Sequence, residues 1–381
     1  MDVLLTDGNE RASLAAARSL VQAGYTVAVT ANRRFSLAGV SSGVRRVRLS
    51  TGPLADPVGY AAEVGDAARR LRARVVLPVT DASVEALLGH RDALPKSTVL
   101  PLPDRARYRK ASDKAGMLDS ARRAGLAVPE TVVLASADDA LPPDFFPAVV
   151  KPHRSVVGGR HFDVSFVASA DACRAALRAL PRSAFPVLLQ RRVRGTGEGL
   201  FVLRWNGRII AEFAHRRLRE KPPQGGVSVY RESIAIEPAL SQAGRRLLSE
   251  LDWQGVAMIE CKRDEAGRHV FMEVNGRLWG SLQLAIDAGV DFPALLLACA
   301  MGRNVRPVMA NYRVGVRSRW FWGDVDHLYL QLRNGGGPKG KLRALREFLK
   351  HRPGRDREEI WRWRDPAPFV LESLQQLGIG R

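Results

Sequence analysis

The sequence predicts an α/β (α+β) protein in which a parallel N-terminal sheet is followed by a larger region built on antiparallel sheets. Residues 1–104 alternate short apolar strands with helices, a pattern typical of a parallel sheet covered on both faces. Later strands follow one another closely, and Asn206-Gly207 is a strong signal for a two-residue hairpin turn. A length of 381 residues and a hydrophobic content of 46% allow two or three domains with buried cores.

The N-terminal region, residues 1–104, is predicted to be a Rossmann-like domain of four strands. Helices are expected over 13–23, 61–71 and 84–88, and strands begin at Val3, Tyr25, Arg74 and Thr98. The first turn reads DGNERAS, which lacks the GxGxxG fingerprint of dinucleotide-binding domains. NAD is therefore not expected, although the N-terminus of the first helix could hold a carboxylate or a phosphate.

The next region, residues 105–310, contains two lysines placed beside secondary-structure elements in a distinctive way. Lys114 precedes or begins a helix expected over 113–124, and Lys151 lies in the apolar strand PAVVKP. A strand this apolar does not suit an exposed edge, and the compact charge of a lysine suits phosphate oxygens. The loop that follows contains two adjacent glycines, which allow backbone N–H groups to approach a phosphate closely.

The strongest chemical signal is the predicted hairpin VAMIECKRDEAGRHVFMEVNGR, residues 256–277. Because strand side chains alternate between faces, Glu273 and Asn275 are expected to share a face with Phe271. Pairing of the strands would bring Glu260 close to both. Two buried carboxylates raise each other's pKa unless a cation lies between them, and oxygen ligands suit a Mg²⁺ ion bound to substrate phosphates. The hairpin therefore indicates a nucleotide-dependent enzyme, and the alternative is a hairpin with one solvated face.

The lysine near a helix, the strand lysine, the glycine loop and the Glu-containing hairpin follow one another along the chain. This order resembles the ATP-grasp superfamily, most closely its carbamoyl-phosphate-synthetase-like branch, over roughly residues 1–310. EVNGR is the most specific motif, and FAHRRLREKPPQGGVSVYRES is similar to segments of ATP-grasp carboxylate–amine ligases. The resemblance implies a Rossmann-like domain followed by a two-lobed ATP-grasp domain with antiparallel sheets. Its ATP-binding lobe would span residues 105–190, and its metal and substrate lobe residues 191–310. It also implies ATP and Mg²⁺ (or Mn²⁺) as cofactors.

The resemblance implies a set of nucleotide-binding residues. ATP is expected to contact Lys114, Lys151, Gly158, Gly159, Gln190, Arg191, Val193 and Glu198. Backbone groups of Arg191 and Val193 would read the adenine edge, and Glu198 would bind the ribose hydroxyls. Many relatives have an acidic residue where Arg191 stands, so no role of its side chain is carried over.

The resemblance also implies metal, catalytic and substrate residues. The expected metal ligands are Glu260, Glu273 and Asn275, and the expected catalytic residues are Lys151 and Arg277, which would stabilise the transferred phosphoryl group. Substrate contacts are expected from Arg217, Lys221 and Ser228 in the 216–231 segment. The alternative for this segment is a solvated basic loop.

The implied reaction joins a small-molecule carboxylate to a small-molecule amine. The carboxylate would take the γ-phosphate of ATP to form an acyl-phosphate, and the amine would then displace phosphate. Two alternatives are a carboxylase or other acyl-phosphate-forming member of the superfamily, and a nucleotide-binding regulator without catalysis. A homodimer is compatible with the resemblance, since relatives are often dimers.

Charge and cysteine content constrain the partners and the compartment. The net charge of +20 favours anionic partners, but arginines spread along the chain without a nucleic-acid-reading motif argue against nucleic acid. Three isolated cysteines, Cys173, Cys261 and Cys299, suit reduced thiols, and with no signal peptide or apolar span they predict a cytoplasmic protein.

The C-terminal extension, residues 311–381, is markedly basic. Residues 339–364 contain ten Lys or Arg against four Asp or Glu. A basic amphipathic helix packed on the domain is the favoured interpretation, and contact with a membrane surface or a polyanion is the alternative.

Overall fold

The computed structural model describes residues 1–157, 159–309, 311–334, 337–350 and 356–379. The N-terminal domain has a parallel sheet of four strands in the order β3-β2-β1-β4. Its elements are β1 (Val3–Leu5), α1 (Arg11–Gln22), β2 (Val27–Ala31), β3 (Val44–Arg48), α2 (Pro57–Leu71), β4 (Val75–Leu77) and α3 (Asp81–Gly89). Helix α1 covers one face of the sheet, and α2 with α3 covers the other. The parallel domain predicted from the sequence is therefore present.

Two details of this sheet differ from the prediction. The strand β3 was not predicted, because its sequence VRRVR is mostly charged and lies at the sheet edge with arginine side chains exposed. The strand expected from Thr98 forms only a single bridge, between Val75 and Val99. Pro101 and Pro103 have no backbone N–H to donate to a ladder, which explains why pairing stops there.

The ATP-binding lobe predicted at 105–190 contains a small antiparallel sheet in the order β5-β10-β6-β9. Its elements are α4 (Arg105–Ser112), α5 (Gly116–Ala124), β5 (Thr131–Leu134), β6 (Ala148–Pro152), β7 (Val156–Val157), β8 (Arg160–His161), β9 (Ser165–Val167), α6 (Ala170–Arg178) and β10 (Val187–Arg191). The helix predicted from Asp113 starts three residues later, because the Asp113 carboxylate accepts the backbone N–H groups of Ala115 and Gly116 in a turn.

The central sheet has seven strands in the order β15-β14-β11-β12-β13-β16-β17. Its strands and nearby helices are β11 (Thr196–Trp205), β12 (Arg208–Lys221), β13 (Val227–Ile234), α7 (Pro238–Glu250), β14 (Gly255–Arg263), β15 (His269–Asn275), α8 (Leu282–Ala288), α9 (Phe292–Ala300), β16 (Arg317–Arg319) and β17 (Asp356–Glu358). The predicted hairpin turn at Asn206-Gly207 is confirmed, with φ values of 48° and 77°.

A β-bulge changes the side-chain directions in the β14–β15 hairpin. Glu260 pairs with Glu273, but the next residue, Cys261, pairs with Phe271, so Met272 is an extra residue on β15. Phe271 therefore packs with Cys261 in the apolar cluster beside α7, and Glu273 points to the other face. The prediction that Phe271, Glu273 and Asn275 share a face was wrong for Phe271, since strict alternation does not anticipate a bulge.

The C-terminal region extends the central sheet and contacts the N-terminal domain. It comprises α10 (Phe321–Asn334), α11 (Gly337–Leu349) and α12 (Ala367–Gln376), together with the parallel edge strands β16 and β17. The buried Arg18 of α1 binds Asp365 with Nε 2.8 Å from Oδ2. In the described part of the chain, no single helix is long and apolar enough to cross a membrane; α8 and α9 pass only as a pair bent by 94°.

Candidate functional site

One face of the central sheet presents a polar row across five adjacent strands. The strand register places side by side Ser233, His215, Gly199, Glu260 and Glu273. Residues directly opposite in an antiparallel pair point to the same face, so the row forms a continuous surface. It joins the predicted metal ligands to His215, which sequence reasoning did not single out.

The three predicted metal ligands are brought together. Glu260 and Glu273 are directly opposite, and Asn275 Nδ2 donates to Glu273 Oε1 over 3.1 Å. Lys114 Nζ lies 3.3 Å from Glu273 Oε2, and Arg217 Nη2 lies 2.6 Å from Glu260 Oε2. Each carboxylate thus has a cationic partner.

The two carboxylates differ in proton affinity. Burial raises the pKa of Glu260, and the charge of Glu273 adds to this effect against the opposing charge of Arg217. Burial also disfavours ionisation of Glu273, but the charges of Lys114 and Lys151 outweigh it and lower the pKa of Glu273. The pair therefore combines a carboxylate whose charged form the lysines favour with one whose charged form burial disfavours.

The oxygen donors fit Mg²⁺ better than a metal that needs a complete protein cage. Among residues placed in this structure, no group of three or more His, Cys, Asp or Glu is arranged to hold an ion. A divalent ion would rely on Glu260, Glu273 and the amide oxygen of Asn275, with the remaining ligands from water and phosphate. This donor set is typical of Mg²⁺ in nucleotide-dependent enzymes. These three residues with Lys114 and Lys151 are called the carboxylate centre below.

The two lysines of the carboxylate centre come from the ATP-binding lobe. Lys151 is buried, and its Nζ donates over 3.4 Å to the carbonyl of the bulge residue Met272. Burial lowers the pKa of Lys151 to about 8, against the opposing charge of Glu273. Lys114 Nζ donates to Ser155 Oγ over 2.9 Å, which ties it to the loop after β6. The side of the centre that these lysines occupy is positively charged and suited to phosphate.

The glycine loop lies against the N-terminal domain. Gly159 has φ +73°, and a Cβ there would lie 3.1 Å from the carbonyl oxygen of Leu54. Gly158 falls outside the described residues. One open cleft is lined by residues of both domains and of this loop, including Asp81, Tyr108, Lys114, Ser155, Glu273 and Asn275.

Arg277 lies at the junction with the N-terminal domain. Its Nε is 2.9 Å from Oδ2 of Asp81, the first residue of α3, and Tyr108 donates to the other oxygen of Asp81 over 2.9 Å. The EVNGR motif thus ends on an ion pair between domains. Asp81 lies beyond the carboxyl end of β4, where α3 begins.

Gln190 and Arg191, which were expected to contact ATP, use their side chains to bind other residues of the chain. Gln190 Nε2 donates to Thr131 Oγ1 over 2.9 Å, and Arg191 Nε lies 2.6 Å from Glu130 Oε2. The carbonyl of Val193 accepts from Lys262 Nζ over 3.2 Å. Sequence reasoning missed Lys262, although its alternation with Glu260 places both on one face of β14.

Glu198 is not brought to the carboxylate centre. It pairs in register with Cys261, which places it on the opposite face of the sheet from Glu260. Its carboxylate is buried and lies 2.9 Å from His269 Nε2. A ribose contact by Glu198 stays a prediction.

The predicted substrate residues lie in different environments. Arg217 reaches the carboxylate centre and also binds Glu220, with Nη1 3.0 Å from Oε1. Lys221 forms an ion pair with Asp326 of α10. Ser228 is buried, and its Oγ has no hydrogen-bond partner among the described residues. Arg217 alone of the three touches a predicted metal ligand.

Comparison with known proteins agrees with the family suggested by the motifs. Residues 186–321 match the family described as ATP-grasp in the biosynthetic pathway with Ter operon. No curated protein matches the chain significantly by sequence.

Three solved structures have a similar fold. A biotin carboxylase complex with β,γ-ATP from Campylobacter jejuni has a TM-score of 0.65 and 15% identity, covering 83% of this chain and 74% of that chain. An L-amino acid ligase from Bacillus licheniformis has a TM-score of 0.62 and 16% identity, with 83% and 78% covered. An N5-carboxyaminoimidazole synthetase from Staphylococcus aureus has a TM-score of 0.62 and 12% identity, with 88% and 86% covered. The predicted fold class is confirmed. The family match confirms the ATP-grasp resemblance over residues 186–321.

Proposed function

We propose that the chain is an ATP-dependent ligase that activates a substrate carboxylate as an acyl-phosphate and couples it to an amine. The observation that carries this proposal is the directly opposed pair Glu260 and Glu273, flanked by Lys114 and Lys151 on one side and Arg217 on the other. The names of the L-amino acid ligase and the carboxyaminoimidazole synthetase agree with ligation as the reaction class.

The position of each residue around the carboxylate centre suggests its role in the proposed reaction. Lys114 and Lys151 would hold phosphate oxygens, because both ammonium groups lie near the carboxylate of Glu273. A Mg²⁺ ion, when bound to Glu260, Glu273 and Asn275, would neutralise phosphate charge. Arg277 would offset the charge that develops during phosphoryl transfer.

Arg217 would take over the substrate carboxylate. In the structure its guanidinium neutralises Glu260. A cation bound to Glu260 would replace that partner, and Arg217 could then bind a carboxylate in a bidentate manner. The N-terminal domain, held across the cleft by Asp81 and Arg277, would help to keep water from the acyl-phosphate.

The test is ADP and phosphate release from Mg-ATP with pairs of carboxylates and amines, measured for the wild-type chain and for Glu273→Gln. We expect release that requires both co-substrates and falls in the variant on the order of 100- to 1,000-fold. Glu265→Gln, in the exposed turn of the same hairpin, is the matched control and should keep full activity. ATP hydrolysis that ignores both co-substrates, or equal activity of the two variants, would contradict the proposal.

A further inference from the structure

Several buried polar atoms beside the carboxylate centre have no hydrogen-bond partner within the described part of the protein. They are both ring nitrogens of His215, Nε of Arg217 and of Arg231, Nε1 of Trp279 and Oε1 of Glu359. Buried polar groups in folded proteins are almost always hydrogen bonded, since an unpaired one is destabilising. Six unpaired atoms in one region therefore indicate that something else supplies their partners. These five residues are called the buried cluster.

The five residues are close in space. The ring of Phe201 lies 4.7 Å from the ring of His215 and 4.4 Å from that of Trp279, measured between centroids. Arg217 and Arg231 are directly opposite on β12 and β13. Burial lowers the pKa of His215, and the charges of the two arginines lower it further, so its imidazole is neutral.

Both ends of the chain close the buried cluster. Glu359, just after β17, forms an ion pair with the fully buried Arg231. It also binds Arg11 at the start of α1, with Oε2 2.7 Å from Nη1. The guanidinium of Arg11 stacks over the ring of Trp320 at 3.8 Å. The N-terminal domain and the C-terminal region therefore meet above this part of the sheet.

Glycines on β11 let neighbouring side chains on this face lie close to the strand. A Cβ at Gly199 would lie 2.8 Å from Cζ of Phe201 and 3.4 Å from Cδ2 of His215. At Gly197 it would lie 2.8 Å from Cδ of Arg217. The strand between the buried cluster and Glu260 thus has no side chains that separate the two.

The unpaired atoms describe the chemistry of the missing partner. Arg217, Arg231 and Trp279 each have an unpaired donor, and a neutral imidazole adds one donor and one acceptor. The remaining acceptor is a carboxylate oxygen of Glu359. A carboxylate on the ligand would satisfy the donors. Glu359 is ion-paired through Oε2 with Arg231 and Arg11, so its other oxygen, Oε1, can accept one further donor, such as an ammonium group.

We propose that the buried cluster binds the substrate acid and that this acid also has a protonated amino group. Its carboxylate lies against Arg217 and Arg231, and its ammonium group donates to Glu359. This orientation directs the carboxylate towards Glu260, where Arg217 already reaches. The identification of the ligand as the acid that is activated rests on the proposed function, but the binding itself does not.

The test measures binding without turnover. Saturation-transfer-difference NMR and titration calorimetry would use the twenty L-amino acids and β-alanine, each beside its deaminated analogue, with and without a non-hydrolysable ATP analogue. We expect at least one amino acid to bind on the order of 10- to 100-fold more tightly than its deaminated analogue. Glu359→Gln should abolish this preference, since it removes the charge while keeping a hydrogen-bond acceptor for Arg231.

Two further variants guard against a simple folding defect. Trp279→Phe removes the unpaired N–H together with one ring of the indole, keeps an aromatic ring against Phe201 and Phe292, and should weaken binding of the amino acid several-fold. Glu372→Gln changes another buried acid of the C-terminal region, whose partner is Trp320, and should leave binding unchanged. Equal affinity for the two members of every pair, or equal losses in Glu359→Gln and Glu372→Gln, would overturn the proposal.

The two proposals fail in different ways. Selective binding of an amino acid by a chain that never releases ADP would support the proposed acid site and contradict the proposed ligase reaction. ADP release with an acid that lacks an amino group, by a chain that prefers no amino acid over its deaminated analogue, would contradict the proposed acid site but not the ligase reaction. Glu273→Gln should lose ADP release while it keeps amino-acid binding.

Discussion

The carboxylate centre and the buried cluster lie on the same sheet face but satisfy their charges in different ways. In the carboxylate centre, Glu260 and Glu273 each have a cationic partner, and all five residues come from the 114–275 part of the chain. The buried cluster leaves six polar atoms unpaired and needs Glu359 from the far end of the chain. Under the two proposals, nucleotide binding depends on residues of the 114–275 part of the chain alone, whereas recognition of the substrate acid also depends on how the two ends of the chain dock on the central sheet.

The largest expected effect separates the two regions by releasing the C-terminal region. Asp365→Ala removes the carboxylate partner of the buried Arg18 guanidinium and leaves it only the carbonyls of Ile360 and Asp365, and losing one partner of a buried ion pair costs about 3–5 kcal/mol. We expect hydrogen exchange to rise in β17 and α12 and amino-acid binding to fall, while ATP binding persists. Urea denaturation and hydrogen exchange followed by mass spectrometry would measure this.

A control for that variant is Asp66→Ala, which breaks the exposed pair with Arg69 and should cost under about 1 kcal/mol. If exchange in Asp365→Ala rose equally in β14 and β15, docking of the C-terminal region would not be specific to the buried cluster.

Lys151→Met should have the opposite effect, a loss of ATP use with amino-acid binding retained. This change removes a buried ammonium group beside Glu273 and should lower kcat/KM for ATP about 100-fold or more. Amino-acid binding measured without nucleotide should not change. The exposed Lys96→Met is the matched control. A parallel loss of amino-acid binding would show that the two regions are not separable.

A smaller effect concerns the pH dependence of the C-terminal region. Burial raises the pKa of Glu372 to about 7 from 4.5, against the hydrogen bond from Trp320. The folded chain therefore holds a proton that the unfolded chain releases, so this group lowers stability as pH rises from about 4.5 through 7. Glu372→Gln should raise the free energy of unfolding on the order of 2 kcal/mol at pH 8 and very little at pH 4. Urea denaturation at the two pH values checks this, and a gain of the same size at both would refute it.

The smallest expected effect concerns Gly199, the β11 residue between the carboxylate centre and the buried cluster. Gly199→Ala would press a methyl group on Phe201 and His215, at a cost of about 1 kcal/mol. Amino-acid binding should weaken more than ATP binding, as titration calorimetry can measure. Gly52→Ala, where a Cβ meets nothing within 4 Å, should change neither affinity.

The carboxylate centre was predictable because its signal is local. Strand alternation and the EVNGR motif were enough to bring Glu260, Glu273 and Asn275 together, and the register confirms that convergence. The direction of Phe271 was not predictable, since a one-residue bulge follows from tertiary packing rather than from a local pattern. Side-chain partners across domains, such as Asp81 for Arg277, were equally invisible in the sequence.

Of the buried cluster, only Arg217 was predicted from the sequence, as a substrate residue. His215 and Arg231 occur in an arginine-rich segment where no residue type stands out, and Glu359 lies in a stretch that composition describes only as basic. Trp279 follows EVNGR closely but would pass for an ordinary core residue. Only the fold shows that these side chains are buried together with atoms that lack partners.

The contacts of Arg11 with Glu359 and of Arg18 with Asp365 join residues 348 and 347 positions apart. Contacts between such distant residues close the largest loops in the chain, and loop closure of this kind slows folding. We therefore expect the ends of the chain to dock late, after the central sheet has formed. During refolding from urea, the chain should regain nucleotide binding before it regains selectivity for its acid, and the delay would measure how long the enzyme exists in a form that binds ATP without recognising its substrate.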